Sequence, residues 1–184
     1  MGYMQIPMYK YGRPPAMNYG AIGTSFAREL FHAFDSHGQT YDKNGARSEW
    51  FDKEAQQKYY EKVQCFVDDL RKEHFLTNIT IENGFYEINE NMADNEGLRY
   101  AYAAFKKYEK SKKKSVRLSW LPDLSSEKLF FIGWSQIWCE VNAQKAPNLK
   151  LPGNFRIRIP LVNNPDFVKA FGCRRTTVDT CKIW

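Results

Sequence analysis

The sequence has no uninterrupted apolar stretch of the about 18 residues that a membrane-spanning helix needs. Its start, MGYMQIPMYKYGRPP, also lacks the apolar core and the small-residue cleavage site of a secretory signal peptide. On these grounds alone the chain is expected to be soluble and untargeted.

Signals for nucleic-acid binding are also scarce. The formal net charge is +6, but much of the excess lies in residues 106–114 (KKYEKSKKK). Runs of this kind are usually solvated helix ends or loops, and the alternative is a docking patch for an anionic glycan, membrane or nucleic acid. The sequence shows no zinc-finger spacing, ribonucleoprotein motif or helix-turn-helix pattern, so we expect no nucleic-acid partner.

The few cysteines argue against two common kinds of cysteine site. None of them forms a C-x-x-C pair, which argues against a zinc ribbon or a thioredoxin-like site, and their wide spacing suits long-range disulfides or buried thiols. They are Cys65, Cys139, Cys173 and Cys181. One glycosylation sequon at Asn78 adds weak support for an oxidising, secretory setting.

What the sequence does have is enough apolar material for one helical domain. With 184 residues, 43% hydrophobic and 16% aromatic, it can bury roughly 70% of its unfolded surface as a single domain, residues 1–184. Apolar periodicity predicts helices over residues 21–34, 49–74, 89–110, 125 or 126 to 142, and 165–171. The first 18 residues and the rest of the last third, rich in proline and glycine, are predicted to be extended chain and loops.

Particular residues set the expected ends and faces of these helices. The first helix carries Ile22, Phe26, Leu30 and Phe34 at four-residue spacing, which predicts a buried stripe. The other helices have end signals, with Ser48 as an N-cap, Ser125 just before an apolar run and Gly172 as a C-cap.

Residues 27–35 (A-R-E-L-F-H-A-F-D) match the zinc-peptidase motif H-E-x-x-H except at one position. In that motif two histidines four residues apart bind Zn²⁺ from one helix face, and the glutamate acts as general base for a metal-bound water. Glu29 and His32 are present here, but Arg28 stands where the first histidine belongs.

Two acids in the third predicted helix, Glu90 and Asp94, lie four residues apart and therefore on one face. Two surface acids are the ordinary explanation of such a pair. The alternative is a zinc-peptidase arrangement, in which a glutamate from a separate helix is the third ligand and a carboxylate one turn on orients a ligating side chain.

Several segments in order resemble the C-terminal catalytic region of the neprilysin and endothelin-converting-enzyme family of zinc metallopeptidases. They are N-Y-G-A-I-G (residues 18–23), R-E-L-F-H-A-F-D (28–35), Y-D-K-N-G (41–45), E-N-M-A-D-N-E-G-L (90–98), L-F-F-I-G-W-S-Q-I-W-C (129–139), P-G-N-F-R (152–156), A-F-G-C (170–173) and C-K-I-W (181–184). The resemblance implies a mainly α, zincin-type (gluzincin-like) catalytic subdomain with irregular loops. It also implies that the family's N-terminal portion is missing, so that the chain is a fragment or a truncated copy.

The resemblance also assigns roles by position. Glu29 matches the general base, His32 the second zinc ligand, Glu90 the third ligand, Asp35 and Asp94 the carboxylates that orient the ligands, and Arg156 the arginine that binds substrate backbone. It pairs Cys65 with Cys181 and places the partners of Cys139 and Cys173 in the missing portion. By resemblance the chain belongs outside the cell or in the secretory pathway, although it shows no signal peptide or anchor of its own.

Two departures from the family pattern bear on activity. Arg28 replaces the first zinc-binding histidine, and Lys150 stands where the family has a histidine that stabilises the oxyanion. Arginine offers no lone pair near neutral pH, so His32 and Glu90 are left as ligands where zinc sites normally have at least three. Zinc binding is therefore expected to be weak or absent.

The lost metal charge also needs a replacement, and Arg28 is a candidate because its fork of donors would bridge Glu90, Asp94 or Glu29. The remaining histidines, His37 and His74, are not expected to restore the metal site, because the first lies near the helix end and the second far along the next helix.

Three hypotheses follow for the function. The first is a neprilysin-like metallopeptidase domain that is impaired or inactive in peptide hydrolysis. The second is an active zinc endopeptidase with an unusual ligand set. The third is a non-enzymatic module that binds a peptide or a protein partner, with residues 106–114 as the docking surface.

Overall fold

The computed structural model describes residues 2–77, 84–112, 117–140, 151–174 and 180–184. Within these residues the chain forms α-helices joined by turns and short 3₁₀ or π segments, without a β-strand. The helices are α1 (Pro15–Asn18), α2 (Thr24–Phe31), α3 (Lys53–Thr77), α4 (Gly84–Ser111), α5 (Ser126–Gln136), α6 (Gly153–Val162) and α7 (Pro165–Phe171). The predicted mainly helical fold class is confirmed.

The first long helical segment starts earlier than predicted. Helix α1, a π turn (Tyr19–Gly23), α2 and a 3₁₀ turn (His32–Phe34) follow one another without a break. Extended chain up to residue 18 was therefore the wrong expectation, and a 3₁₀ turn also forms at Gly2–Met4. The physical reason is that proline disfavours a helix interior but suits the first helical position, where Pro15 lies.

The predicted buried stripe of this segment is wrong for three of its four residues. Phe26 is 66% exposed, Leu30 58% and Phe34 42%. The helix instead buries Phe31, which packs with Met92 of α4. Apolar periodicity shows that a face can be buried, but it does not show which face the neighbouring helices cover.

Helix α4 occupies the middle of the fold and packs against α2, α3 and α6. It begins five residues before the predicted start, at Gly84. Every residue from 90 to 98 is buried, although five of the nine are polar or charged. Since buried polar groups require partners, this stretch of α4 has to be surrounded by hydrogen-bonding groups.

The remaining helix ends are partly as predicted. Ser125 caps α5 by accepting a hydrogen bond from the Lys128 amide over 3.3 Å, and α7 ends at Gly172, whose φ of 66° is the left-handed conformation that glycine adopts freely. Helix α5 nevertheless ends at Gln136 rather than at residue 142.

Two further predictions of helix position are wrong. The cap of α3 is Asp52, whose carboxylate accepts from the Ala55 amide over 2.7 Å, and not Ser48; aspartate caps as well as serine and stands next to the first helical residue. Helix α6 forms where loops were predicted. Pro152 precedes its first residue, where proline is tolerated, whereas Pro160 lies inside the helix, which continues to Val162 although proline has no N–H to bond the Arg156 carbonyl.

The core has two main parts. One is an aromatic cluster between α4 and α5 that includes Phe105, Phe130, Phe131 and Trp134. The other joins α2, α3, α4 and residues 181–183. The Cys65–Cys181 disulfide that the resemblance implies is present, with a Cα–Cα distance of 5.6 Å.

Candidate functional site

The altered zinc motif and the paired acids meet where α2 crosses α4, and Gly97 makes this crossing possible. A Cβ atom at position 97 would lie 2.8 Å from the Arg28 amide nitrogen and 2.9 Å from its Cα. Any side chain there would push α2 away. The close approach brings Arg28 within reach of Asp94, which lies almost one turn before Gly97 on α4.

Arg28 reaches three carboxylates with its guanidinium group. Its Nε donates to Oδ1 of Asp94 over 3.0 Å, its Nη2 donates to Oε2 of Glu90, and its Nη1 donates to Oε1 of Glu29. The side chain is 14% exposed, while those of Glu90 and Asp94 are 7% and 0% exposed. The prediction that Arg28 would bridge these acids is confirmed for all three.

A second arginine completes this cluster from α6. Arg156 donates from Nε to Oδ2 and from Nη2 to Oδ1 of Asp94, both over 2.7 Å, and its Nη2 lies 3.0 Å from Oε2 of Glu90. Two cations therefore face two buried carboxylates. We call Arg28, Glu90, Asp94 and Arg156 the ion-pair cluster.

Trp138 supports the cluster in a way that sequence reasoning missed. Its ring lies under the Arg156 guanidinium, with 3.8 Å between the guanidinium carbon and the ring centroid. In the sequence Trp138 is one of several apolar residues in its segment. No local pattern marks an aromatic residue that will stack on a distant arginine.

The cluster shifts the protonation equilibria of its members. Burial raises the pKa of Glu90, but the charges of Arg28 and Arg156 outweigh burial and hold that pKa below its ordinary value. Complete burial raises the pKa of Asp94, an effect that the hydrogen bonds and charge of Arg156 and the charge of Arg28 oppose. Burial lowers the pKa of Arg28, but the carboxylates of Asp94, Glu90 and Glu29 raise it above its ordinary value overall.

His32 is oriented by Asp35. Its Nδ1 lies 2.8 Å from Oδ2 of Asp35, while Oδ1 of Asp35 accepts from the amides of His37 and Gly38 over 2.9 and 2.8 Å. Burial raises the pKa of Asp35, but these hydrogen bonds lower it overall. The other ring nitrogen of His32, Nε2, lies 3.6 Å from Oε1 of Glu90.

The other predicted site residues are placed as follows. The side chain of Glu29 is 63% exposed at the edge of the cluster. His37 packs edge-on against Tyr41, with 5.4 Å between the ring centroids. Lys150, Asn78 and the side chain of His74 lie outside the described residues.

Comparison with known proteins identifies the origin of this arrangement. The sequence profile described as "Peptidase family M13" matches residues 1–181. The chain belongs to peptidase family M13. It is 34% identical over 197 residues to an "Endothelin-converting enzyme homolog" of Locusta migratoria, and 34% identical over 196 residues to "Neprilysin-21" of Caenorhabditis elegans. It is thus a neprilysin-like M13 metallopeptidase domain.

A solved structure shows the same fold. The structure titled "Haemonchus galactose containing glycoprotein complex" superposes with a TM-score of 0.85 at 27% identity, over 100% of this chain and 30% of that one. All of this chain aligns with the two M13 relatives but covers only 26% and 25% of their length. The chain therefore spans about a quarter of the relatives that it matches.

The M13 family implies zinc, and the side chains here do not fit a zinc ion as they are placed. His32 and Glu90 are the two residues that match zinc ligands of the family and can offer a lone pair, whereas zinc sites take three or four protein ligands. One oxygen of Glu90 is already bonded to the Arg28 guanidinium. Across the part of the chain that the structure describes, no group of three His, Cys, Asp or Glu side chains is placed to hold a metal.

Two further observations concern the free cysteines and the length of the helices. Cys139 and Cys173, which the resemblance pairs with residues outside this chain, are exposed and carry free thiols. No helix among the described residues combines the length and apolarity needed to cross a membrane.

Proposed function

We propose that this M13 domain retains the family fold without efficient peptide hydrolysis, and that Arg28 supplies the positive charge that zinc supplies in the family. The observation that carries the proposal is the bonding of Arg28 to Glu29, Glu90 and Asp94. These are the acids that the resemblance assigns to the general base, the third ligand and an orienting carboxylate.

Two physical effects oppose zinc binding at this site. A guanidinium has no lone pair to offer a metal, and its positive charge repels one. It also engages Glu90, one of the two ligands that remain. Without a metal to lower the pKa of a bound water, Glu29 has only ordinary water to deprotonate, which is a far weaker nucleophile.

In a domain that does not hydrolyse peptides, the surface beside α2 can still bind a peptide or a protein. Arg156 keeps the position that the resemblance assigns to substrate recognition. Its Nε and Nη2 groups, however, already donate hydrogen bonds to Asp94, and Nη2 also pairs with Glu90. Lys150 keeps a cation at the oxyanion position by resemblance. Its charge has no oxyanion to stabilise until a nucleophile attacks.

Metal analysis of the purified chain, equilibrated with zinc and then desalted, tests the proposal. We expect less than about 0.1 zinc per chain for the natural sequence and about one for Arg28→His, which restores a third ligand. Arg28→Gln is the matched control, since it removes the positive charge without adding a ligand, and it should not reach stoichiometric zinc.

A peptide-cleavage assay provides the decisive comparison with the rival hypothesis of an active zinc endopeptidase. Stoichiometric zinc in the natural chain, together with cleavage that Glu29→Gln abolishes, would overturn the proposal. The rival also requires Arg28→His to leave activity nearly unchanged. Our proposal requires zinc affinity to rise in that variant.

The hypothesis of docking through residues 106–114 gains less support. Lys106 bonds to Glu109 over 2.7 Å and to Glu127 over 2.6 Å, so its charge is already paired within the fold. Burial lowers the pKa of Lys106, but these two carboxylates raise it above its ordinary value overall. Charge reversal at Lys107, Lys110 and Lys112 would abolish capture of an anionic partner if this hypothesis were right.

We also propose an extracellular or secretory setting for the domain. The Cys65–Cys181 disulfide supports this, since such bonds persist in oxidising compartments. Expression into the secretory pathway should then yield a glycan at Asn78 that a glycosidase removes. A chain that stays unglycosylated after secretion would count against that modification.

A further inference from the structure

Residues 181–184, which we call the clasp, are held by side chains from α3, α4 and the end of α6. Cys65 of α3 forms the disulfide with Cys181. The amide of Ile183 donates to Oε1 of Glu96 over 2.7 Å, and the Ile183 carbonyl accepts from Lys62. These bonds fix the backbone on both sides of Ile183, whose own side chain is fully buried.

Glu96 is a buried charge that the zinc motif does not use. Its side chain is 0% exposed and pairs with the partly exposed Arg99. The Nε group of Arg99 donates to Oε2 of Glu96 over 3.1 Å. Residues two apart on a helix point in different directions, so Glu96 leaves α4 on another side than Asp94 does. A buried carboxylate destabilises a fold unless it is hydrogen-bonded, and the Ile183 amide provides one of its bonds.

The clasp forms part of the wall of an apolar cavity on α2. The cavity has a volume of about 350 Å³ and is lined by Ala27, Leu30, Phe31, Phe34, Tyr100 and Trp184. Its α2 residues recur at three- and four-residue spacing, so they share one face of the segment, which is not the face of Arg28 and His32. Trp184 is placed there because the preceding residue, Ile183, is anchored.

We propose that, besides the Lys62 bond and the burial of Ile183, the clasp has two separable attachments, one redox-sensitive and one not, and that either one is enough to keep Trp184 against α2. The first is the Cys65–Cys181 disulfide and the second is the hydrogen bond from Ile183 to Glu96. Loss of both leaves the Lys62 bond and the burial of Ile183, which do not suffice to hold Trp184, so the cavity opens. This arrangement does not depend on whether zinc binds at the motif.

The redox step is ordinary thiol–disulfide exchange. A dithiol reductant transfers two electrons and two protons, the Cys65–Cys181 sulfur–sulfur bond breaks to give two thiols, and the reductant is oxidised to a disulfide. The Glu96 attachment contains no group that this reaction changes. The reduced clasp is therefore expected to remain seated through Glu96.

Hydrogen exchange at the Cys181 amide, which donates to Oδ1 of Asn163 over 3.4 Å and not to Glu96, tests the proposal on the full chain with and without dithiothreitol. In the natural chain, reduction should lower the protection of this amide by less than about tenfold. Glu96→Leu, which removes the acceptor of the Ile183 amide, should behave similarly while the disulfide is intact. In reduced Glu96→Leu the protection should fall by more than about a hundredfold, and an apolar fluorescent dye should then bind at the opened cavity.

Two controls separate the attachments from side effects. Glu96→Gln keeps an acceptor oxygen of similar reach, so it should retain protection after reduction. The double variant Cys65→Ser with Cys181→Ser should match the reduced natural chain without any reductant, which excludes an effect of reductant on Cys139 or Cys173.

Either of two results overturns the proposal. One is loss of protection in the reduced natural chain, since Glu96 alone would then fail to hold the clasp. The other is retained protection in reduced Glu96→Leu, since the clasp would then need neither attachment. The first result requires no substitution, so the proposal remains falsifiable even if Glu96→Leu does not fold.

Discussion

Arg28 donates a hydrogen bond from Nε to Oδ1 of Asp94 over 3.0 Å, across 66 positions of the sequence. This bond joins the two helices that carry the altered zinc motif and the paired acids. In the relatives implied by the motif, a metal would link these helices through its ligands. In this chain the link is a set of charge-assisted hydrogen bonds, and its consequences for stability can be measured.

Removing the Arg28 side chain should destabilise the fold strongly. Arg28→Ala leaves Glu90 and Asp94, both almost fully buried, with Arg156 as their remaining guanidinium partner. Breaking a buried ion pair on one side destabilises by several kcal/mol, so we expect a loss of about 3 kcal/mol in the free energy of unfolding measured with urea.

The matched control is an exposed pair on the same chain. Lys58 and Glu54 form an i,i+4 pair with side chains 67% and 78% exposed, so Lys58→Ala should change the free energy of unfolding by less than about 0.5 kcal/mol. Equal effects of Arg28→Ala and Lys58→Ala would show that the ion-pair cluster does not stabilise the fold.

The stability of the natural chain should not depend on zinc. A ligand that binds the folded state raises the unfolding midpoint, and a chelator that removes it lowers the midpoint. We expect thermal unfolding of the natural chain to be unchanged by added zinc or by EDTA. Arg28→His should show the opposite behaviour, with a midpoint that rises with zinc and falls again with EDTA. A chelator-sensitive midpoint in the natural chain would contradict the assignment of Arg28 as the internal cation.

Some features of this site could be predicted from the sequence and others could not, and the difference has a physical reason. The family resemblance placed Glu90 and Asp94 at the site, and the chemistry of Arg28 then suggested it as their cation, because an arginine cannot ligate a metal and buried acids deprived of one need a positive charge. The contribution of Trp138 did not follow, since it depends on where α5 ends relative to α6. Sequence motifs record residue types at fixed spacing and carry no information about contacts between distant segments.

The same division applies to the fold. The cap at Gly172 and the start of α5 at residue 126, one of the two predicted starts, were predicted correctly because helix ends depend on bonds within a few residues. The stripe of Phe26, Leu30 and Phe34 was misassigned as buried, because burial depends on which neighbour packs against the helix. Helix α6 was missed because proline and glycine were taken as loop signals, whereas Pro152 precedes the helix and the helix continues through Pro160.

Acid should weaken the fold through Glu90. Its pKa is held below the ordinary value of 4.5, mainly by Arg28 and Arg156 against the effect of burial, so its ionised form stabilises the folded state. That stabilisation is fully present above pH 4.5 and is lost as the pH falls through the lower folded pKa. Urea unfolding between about pH 6 and pH 3 should therefore give a flatter profile for Glu90→Gln than for the natural chain.

Two further points decide how this profile is interpreted. Asp94 has a raised pKa and so the opposite sign, and since the charge of Glu90 contributes to that rise, Glu90→Gln also weakens the opposing effect of Asp94 and makes the flattening smaller than the loss of Glu90 alone would give. Glu54→Gln, at a side chain that is 78% exposed, should leave the profile nearly unchanged. Parallel profiles for Glu90→Gln and the natural chain would show that Glu90 is not held ionised by the arginines.

Gly97 is a position at which even a methyl group should disturb the ion-pair cluster. The Cβ of Gly97→Ala would lie 2.8 Å from the Arg28 amide nitrogen, closer than real Cβ atoms approach, and the obstacle is backbone that cannot rotate away. Helix α2 must then move outward, which lengthens the bonds of Arg28 to Asp94 and Glu90. We expect a loss of about 1–3 kcal/mol in the free energy of unfolding, as for other overpacked contacts. Gly2→Ala is the control. Nothing lies within 4 Å of the added atom, so the stability of this variant should equal that of the natural chain.

Combining Gly97→Ala with Arg28→Ala gives the sharper test. If the glycine acts by positioning Arg28, the loss of stability in the double variant should be smaller than the sum of the two single losses by at least about 0.5 kcal/mol. Independent effects would simply add.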